Sequence, residues 1–476
     1  MKSKETKIGS GNTALKAGVW YVISSIMVKA ISIITTPIFT RMLSTSEYGT
    51  VSTFTSWSGL LLTFFTLNLT YSIGRAKLDY PDKLDDYVGS MQLLSLLVSS
   101  VICVIMLAFL KPVSTFMELS ESATILLILY LLFTPAINFK QNTFRYRYQY
   151  KQNVGIAWYI ALSTVICSLA LMIMLDGDKA LYRIIGITLP TIVLSIFIWI
   201  CTLKNHNVCY NKEYWKYGWA LSGPLILHTV SMNILSQSDR IFISKICGAE
   251  ATGIYSLAYN YGILLSIVTN AVADGWLPWF HDNYYAKNYA DIRKNAKKIV
   301  LLGCYVGLAC VALAPEAIII LGGKKYLTGI YCVPPVVLGI VCQYIYTHYV
   351  NIEMHLKKTK FVSQGTISAA IINIILNAIF IPGFGYIAAA YTTLASYLML
   401  LIVHFLITRR VLKIKLYDDV FMFLAMLVTG CVSVLISITY NYIILRYIVI
   451  GLGFVSFLIS FRSYLYNMWT KFTKGK

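Results

Sequence analysis

The chain has 476 residues, of which 58% are hydrophobic and only 13% charged, and its formal net charge is +20. A soluble domain carries roughly a quarter charged residues. This chain therefore cannot cover a water-facing surface of its size and belongs to the membrane class.

Forty Lys and Arg would suggest nucleic acid in a soluble protein, but here they fall between apolar runs, without a zinc-finger or base-stacking motif. Nucleic acid is not an expected partner. Ten Cys form no C-x-x-C pair and six His form no H-E-x-x-H. No disulfide framework, metal or cofactor is expected. Without a Gly-rich phosphate loop, direct drive by ATP is not expected either.

In chain order, residues 1–16 are polar and basic and read as a cytoplasmic N-terminal segment. The apolar run 17–38 is too long for a cleaved signal sequence and reads as the first membrane helix. Further spans of about twenty apolar residues follow at 48–72, 88–110, 122–142, 155–175 and 184–203, closing a first six-helix bundle over 17–203. A polar stretch, 204–216, reads as a cytoplasmic linker. A second bundle over 217–407 holds spans 217–243, 251–275, 298–321, 331–352, 362–381 and 385–407, the last two parted by a turn at Pro382-Gly383-Phe384-Gly385. Residues 408–476 supply a cytoplasmic loop, spans 418–440 and 443–465, and a basic tail. The expected fold is an all-α polytopic membrane protein of about fourteen transmembrane helices.

Cytoplasmic loops are enriched in Lys and Arg. With the N-terminus inside, thirty of the forty basic residues lie in inner segments and nine in outer ones, and Lys29 sits within a helix. Arg183, Arg240 and Arg446 are among the nine. The alternation runs loop by loop, so both termini are expected in the cytoplasm, with the basic layer facing anionic lipid heads.

Helices 1–2 and 7–8 superpose at an offset of 204 residues: Arg41 on Lys245, Gly49 on Gly253, Ser52 on Ser256. The polar faces match as well. Ser25, Lys29, Ser32 and Thr36, at helical steps on helix 1, fall on Thr229, Asn233, Ser236 and Arg240. Ser52, Ser56, Thr66 and Thr70 on helix 2 fall on Ser256, Asn260, Asn270 and Asp274. Both copies start inside, so the bundles are expected to be parallel repeats related by a pseudo-twofold along the membrane normal, with the polar stripes lining a central cavity. The bland alternative is that Ser, Thr and Asn hydrogen-bond helices together. It applies less well to Lys29, about 18 Å along its helix from the inner end, where a charge is costly. Asp239-Arg240 reads as a pair near the outer end of helix 7. His228, His348 and His404 stand alone on apolar helices and read as packed side chains.

The segment SQSDRIFISKICGAEATGIYSLAY, 236–259, resembles helices 7 and 8 of bacterial polysaccharide flippases, including O-antigen flippases. These are the polysaccharide transporters of the multidrug/oligosaccharidyl-lipid/polysaccharide superfamily. TPIFTRMLSTSEYGTVSTF, 36–54, resembles their amino-terminal signature, and WLPWF, 276–280, their helix 8 exit. These motifs cover about a tenth of the chain. The resemblance implies a twelve-helix core of two bundles with two trailing helices, in the bacterial inner membrane. It also implies a cargo, an oligosaccharide repeat unit on undecaprenyl pyrophosphate, flipped to the outer leaflet for capsule, O-antigen or exopolysaccharide synthesis. Lys29, Arg41, Arg240 and Lys245 would form a cationic lumen; Asp274 has no family role. An H⁺ or Na⁺ gradient is the implied drive, and a polysaccharide polymerase and other assembly proteins are implied partners. The alternatives are a multidrug/cation antiporter of the same superfamily, and a membrane-embedded polymerase or ligase, which the short outer loops disfavour.

Overall fold

In a hydrocarbon medium every backbone N–H and C=O must be satisfied within its own segment, and helices do so. The computed structural model describes residues 11–205 and 208–473, and among these the regular structure is all helical, with no strand. Residues 1–10 of the expected N-terminal segment, 206–207 of the expected linker and 474–476 of the basic tail lie outside the described residues. The chain divides into two compact units, Met1–Gly253 and Ile254–Lys476.

The first unit contains α1 (Gly11–Met42), α2 (Thr45–Thr66), the short α3 (Ile73–Asp79), α4 (Leu84–Ala108), α5 (Leu110–Met117), α6 (Glu121–Phe133), α7 (Pro135–Tyr146), α8 (Tyr150–Met174), α9 (Lys179–Asn205) and most of α10 (Lys212–Gly262). It thus includes residues 217–253, which the repeat places in the second bundle. The expected span 122–142 is two helices, α6 and α7. Pro135 lacks an N–H, so it ends one helix and opens the next. The core packs Phe54, Trp57 and Phe65 of α2 against Leu127 and Leu131 of α6 and Ile184 of α9. A second cluster gathers Tyr87, Met91, Phe139 and Tyr214. Beside it, Asp79 accepts from the Tyr217 hydroxyl at 2.5 Å and from Arg75 at 3.0 Å. These bonds, Tyr217's first, hold the Asp79 carboxyl below its ordinary range.

The second unit contains α11 (Leu265–Tyr285), α12 (Tyr289–Ala312), α13 (Ala314–Gly322), α14 (Val333–His355), α15 (Thr359–Phe384), α16 (Tyr386–Leu406), α17 (Asp419–Ile438) and α18 (Ile443–Thr473). Helix α14 is apolar around most of its circumference, the pattern of a buried helix. It is the centre of the unit, and 83% of its most apolar window is buried. The turn expected at Pro382–Gly385 is present, with α15 ending at Phe384.

Among the described residues twelve stretches are long and apolar enough to cross a membrane, so the chain is a multi-pass membrane protein. Fourteen were expected, and the difference sits at two places. Helix α2 does not qualify because ten of its 22 residues are Ser or Thr. Its hydroxyls bond back to carbonyls of their own helix, as Ser52 does to Tyr48 (2.9 Å) and Thr53 to Gly49 (3.1 Å), which lets so polar a helix be buried. Spans 7 and 8 count once because Lys212–Tyr285 is one nearly continuous helical run. The break between them is conformational: Gly248 adopts φ 86°, ψ 175°, a region side chains disfavour.

Candidate functional site

The residues singled out by the repeat fall mainly on α1, α2 and α10 of the first unit. On α1, Ser25, Ser32 and Arg41 are exposed and Lys29 is half-buried. Lys29 makes no hydrogen bond or ion pair among the described residues. Thr36 is spent within its helix, donating to the Ser32 carbonyl at 2.7 Å. Helix α1 is therefore a weakly covered helix with one ammonium and two open hydroxyls along a face.

On α10 the same face is largely spent. Asn233 donates to the Gly59 carbonyl at 3.1 Å and to Thr63 Oγ1 at 2.9 Å, both on α2. Thr229 accepts from Asn68 Nδ2 at 3.2 Å, and Ser236 donates to the Asn233 carbonyl. Asn233 and Thr229 thus tie α10 to α2 and the turn after it, whereas Ser236 is bonded within its own helix. Arg240 is 7% exposed and donates to the Ser236 carbonyl (3.1 Å) and Gln237 Oε1 (3.2 Å). Asp239 is 2% exposed. Both side chains of the Asp239-Arg240 pair are thus buried, and α10 itself carries partners for the guanidinium. Lys245 is exposed and stands 4.6 Å over the ring of Phe116, which packs on Trp57. Ser56 is buried, with no partner for its oxygen among the described residues. In the second unit, Asn260, Asn270 and Asp274 are exposed.

Helices α2 and α10 meet at two glycines. A Cβ on Gly49 would stand 1.7 Å from the Ala249 carbonyl oxygen, and one on Gly253 would stand 2.0 Å from that of Thr45. Thr45 and Ala249 are separated by the same 204 residues as Gly49 and Gly253. The contact is therefore reciprocal in the manner of a twofold interface: each glycine admits the carbonyl of the other copy. The entry to α2 is fixed by a capping box, Ser44 Oγ accepting from Glu47 N and Glu47 accepting from Ser44 N. In the second copy Gly248 takes the place of Ser44.

Several polar side chains have roles that composition did not signal. Arg183 and Arg446, counted with the outer loops, lie inside helices. Arg183 of α9 donates to Ser168 Oγ at 2.6 Å and covers the Phe39 ring at 3.7 Å. Arg446 of α18 is 2% exposed and ion-paired with Glu316. Asn373 and Asn377 of α15 are bonded to each other and to Thr393 and Thr392 of α16, all buried. His404 is bonded to Glu353. Each needs a partner distant in sequence, and no local spacing reveals that partner.

Residues 14–284 match the family described as polysaccharide biosynthesis protein. The chain belongs to that family. It is 20% identical over 365 residues to protein 1 of the Lsg locus of Haemophilus influenzae, covering 75% of this chain and 88% of that one. Its fold is similar to that of the lipid II flippase MurJ in an inward closed conformation: TM-score 0.67 and 14% identity, over 94% of this chain and 100% of MurJ. It is similar also to an inward-facing multidrug resistance MATE transporter of the MOP superfamily, with TM-score 0.63 and 15% identity, over 82% and 98%. This member of the polysaccharide biosynthesis family thus has the fold of the MOP-superfamily transporters.

Proposed function

We propose that the chain is a flippase. It carries an oligosaccharide repeat unit on undecaprenyl pyrophosphate from the cytoplasmic to the outer leaflet by alternating access, for cell-surface polysaccharide synthesis. The observation that carries this reading is the family match over 14–284. The whole-length likeness to a lipid flippase fold supports it. The setting is a bacterial inner membrane with both termini in the cytoplasm, supported by the thirty-to-nine split of basic residues. A polymerase and other assembly proteins would take over the product, and an H⁺ or Na⁺ gradient would supply the drive.

The chemistry of the cargo accounts for the cations of the first unit. A pyrophosphate entering the membrane loses hydration, which is very costly for an isolated anion. A fixed cation offsets part of that cost, and more so as the effective dielectric falls. Lys29 receives the head group, and Arg41, Arg240 and Lys245 are candidates for later contacts.

The likeness to a multidrug transporter supports a second reading, drug/cation antiport. It fits less well, because the ionisable side chain of the α1 stripe is an ammonium and not a carboxylate. Complementation decides between them. The chain should restore surface polysaccharide in its own host after deletion of the gene, and should not raise drug tolerance. Drug tolerance without restored polysaccharide would replace the first reading by the second.

A further inference from the structure

Glu353 on α14 and His404 on α16 are 0% and 1% exposed. Both lie in stretches long and apolar enough to cross a membrane. His404 Nδ1 and Glu353 Oε1 are 2.9 Å apart. The second carboxylate oxygen, Oε2, is buried with no hydrogen-bond partner among the described residues. Tyr346 stacks on the imidazole with 5.6 Å between ring centroids. From α15 comes Gly365, whose missing Cβ would stand 3.0 Å from His404 Nε2. A polar pair is thus enclosed by an aromatic ring and a bare backbone.

The other ionisable groups of the surrounding elements are engaged elsewhere or exposed. Tyr349 of α14 donates to Asp419 of α17 at 2.9 Å, and Arg409, just beyond α16, holds Asp419 at 2.6 Å. His348 of α14 bonds the Tyr344 carbonyl, and His355 bonds His281 of α11. Lys297 of α12 pairs with Asp418 at 2.6 Å. Lys357, Lys358, Lys360 and Arg410 are exposed. Among the described residues, no second cation is ion-paired or hydrogen-bonded with Glu353.

The charge balance of the pair follows. With one proton between them, carboxylate and imidazole sum to zero. Without it an anion remains in a seam closed to solvent, with Oε2 lacking a partner among the described residues, which is strongly unfavourable. A second proton would leave an imidazolium facing a neutral acid, again an uncompensated buried charge. We propose that Glu353 and His404 form a proton-binding site. It holds one proton while α14 and α16 are packed as seen, and returns it to water when that seam opens. Proton occupancy and helix packing are then linked: the packed seam favours the bound proton, and raising the pH favours the open seam. The inference depends on the chain being a membrane protein with this fold and not on its cargo.

Hydrogen exchange read by mass spectrometry, on purified protein in lipid nanodiscs, tests this without a substrate. Peptides covering 346–356 and 397–407 would be followed from about pH 6 to about pH 9, a range that spans the charge change of imidazoles in general, with each rate corrected for intrinsic exchange. Wild-type protection should be level at the acid end and then fall by about tenfold per pH unit, the slope of one proton. Glu353→Gln, which removes the carboxylate that makes the packed pair hold its proton, should lose this fall, as should Glu353→Gln/His404→Gln if the single variant proves unstable. A level wild-type profile overturns the proposal, and so does a variant that falls as wild type does. Loss of polysaccharide complementation with an intact pH profile would overturn the cargo reading and leave the proton site standing.

Discussion

At the scale of single residues, Lys29 separates function from structure most cleanly. It is half-buried on α1 and makes no hydrogen bond or ion pair among the described residues, so its removal breaks no polar contact that holds the fold. If it receives an anionic head group, the sign of its charge matters and its shape much less. Lys29→Arg should keep much of the activity. Lys29→Ala should lose flipping while accumulating in the membrane at wild-type level, and Lys29→Glu should do worse than Lys29→Ala. Surface polysaccharide in a complementation assay, with protein level measured in parallel, gives the answer. Wild-type polysaccharide from Lys29→Glu would sink the cationic reading. Asn233 behaves in the opposite way. Both its donated bonds go to α2, so it is a helix-joining residue despite sharing the stripe.

At the scale of elements, the crossing of α2 and α10 carries the most specific consequence. Two carbonyls enter the space of two absent side chains, so a methyl group on either glycine must push the helices apart. Overpacking of this kind costs about 1–3 kcal/mol. Gly49→Ala and Gly253→Ala should each lower the thermal midpoint in detergent by several degrees. Their double variant should lose less than the sum, because the first substitution already opens the shared contact. Gly18→Ala on α1, where a Cβ meets nothing within 4 Å, should cost no stability, because Ala is the better helix former. Additive losses would mean that the two glycines act independently and that the reciprocal crossing is not one structural element.

At the scale of the whole molecule, the topology rests on loop charge alone. Reporter fusions after residues 120, 180 and 325 should behave as periplasmic, and those after 80, 210, 290 and 412 as cytoplasmic. Reversal at any one of them would change the number of crossings between it and its neighbours. Thiol labelling of the polar-stripe positions needs controls chosen by exposure. Leu235, which its apolar character suggests as a lipid-facing control, is 1% exposed, whereas Val104 at 65% is a sound one. Ser56, buried here, should label only in a state with α2 uncovered, whereas Ser32 should label in this one.

What the sequence determined by itself follows from periodicity and solvent. A charge content of 13% excluded a soluble fold, and the apolar runs placed nearly every long helix. The 204-residue offset located the pair of glycines that cross. Such features are local or repeat-wise, and they survive without coordinates because burial in lipid constrains each segment separately. The tertiary structure decided which polar groups face one another. Thr229, Asn233 and Ser236 looked equivalent to Ser25, Lys29 and Ser32, yet one stripe is largely consumed by hydrogen bonds while Ser25, Lys29 and Ser32 are not. His404 read as a lone packed imidazole until α14 brought Glu353 to 2.9 Å, across 51 residues of chain. Partner choice depends on how helices rotate and pack, and in a membrane interior an unpaired polar group is costly enough that packing, and not spacing along the chain, settles the pairs.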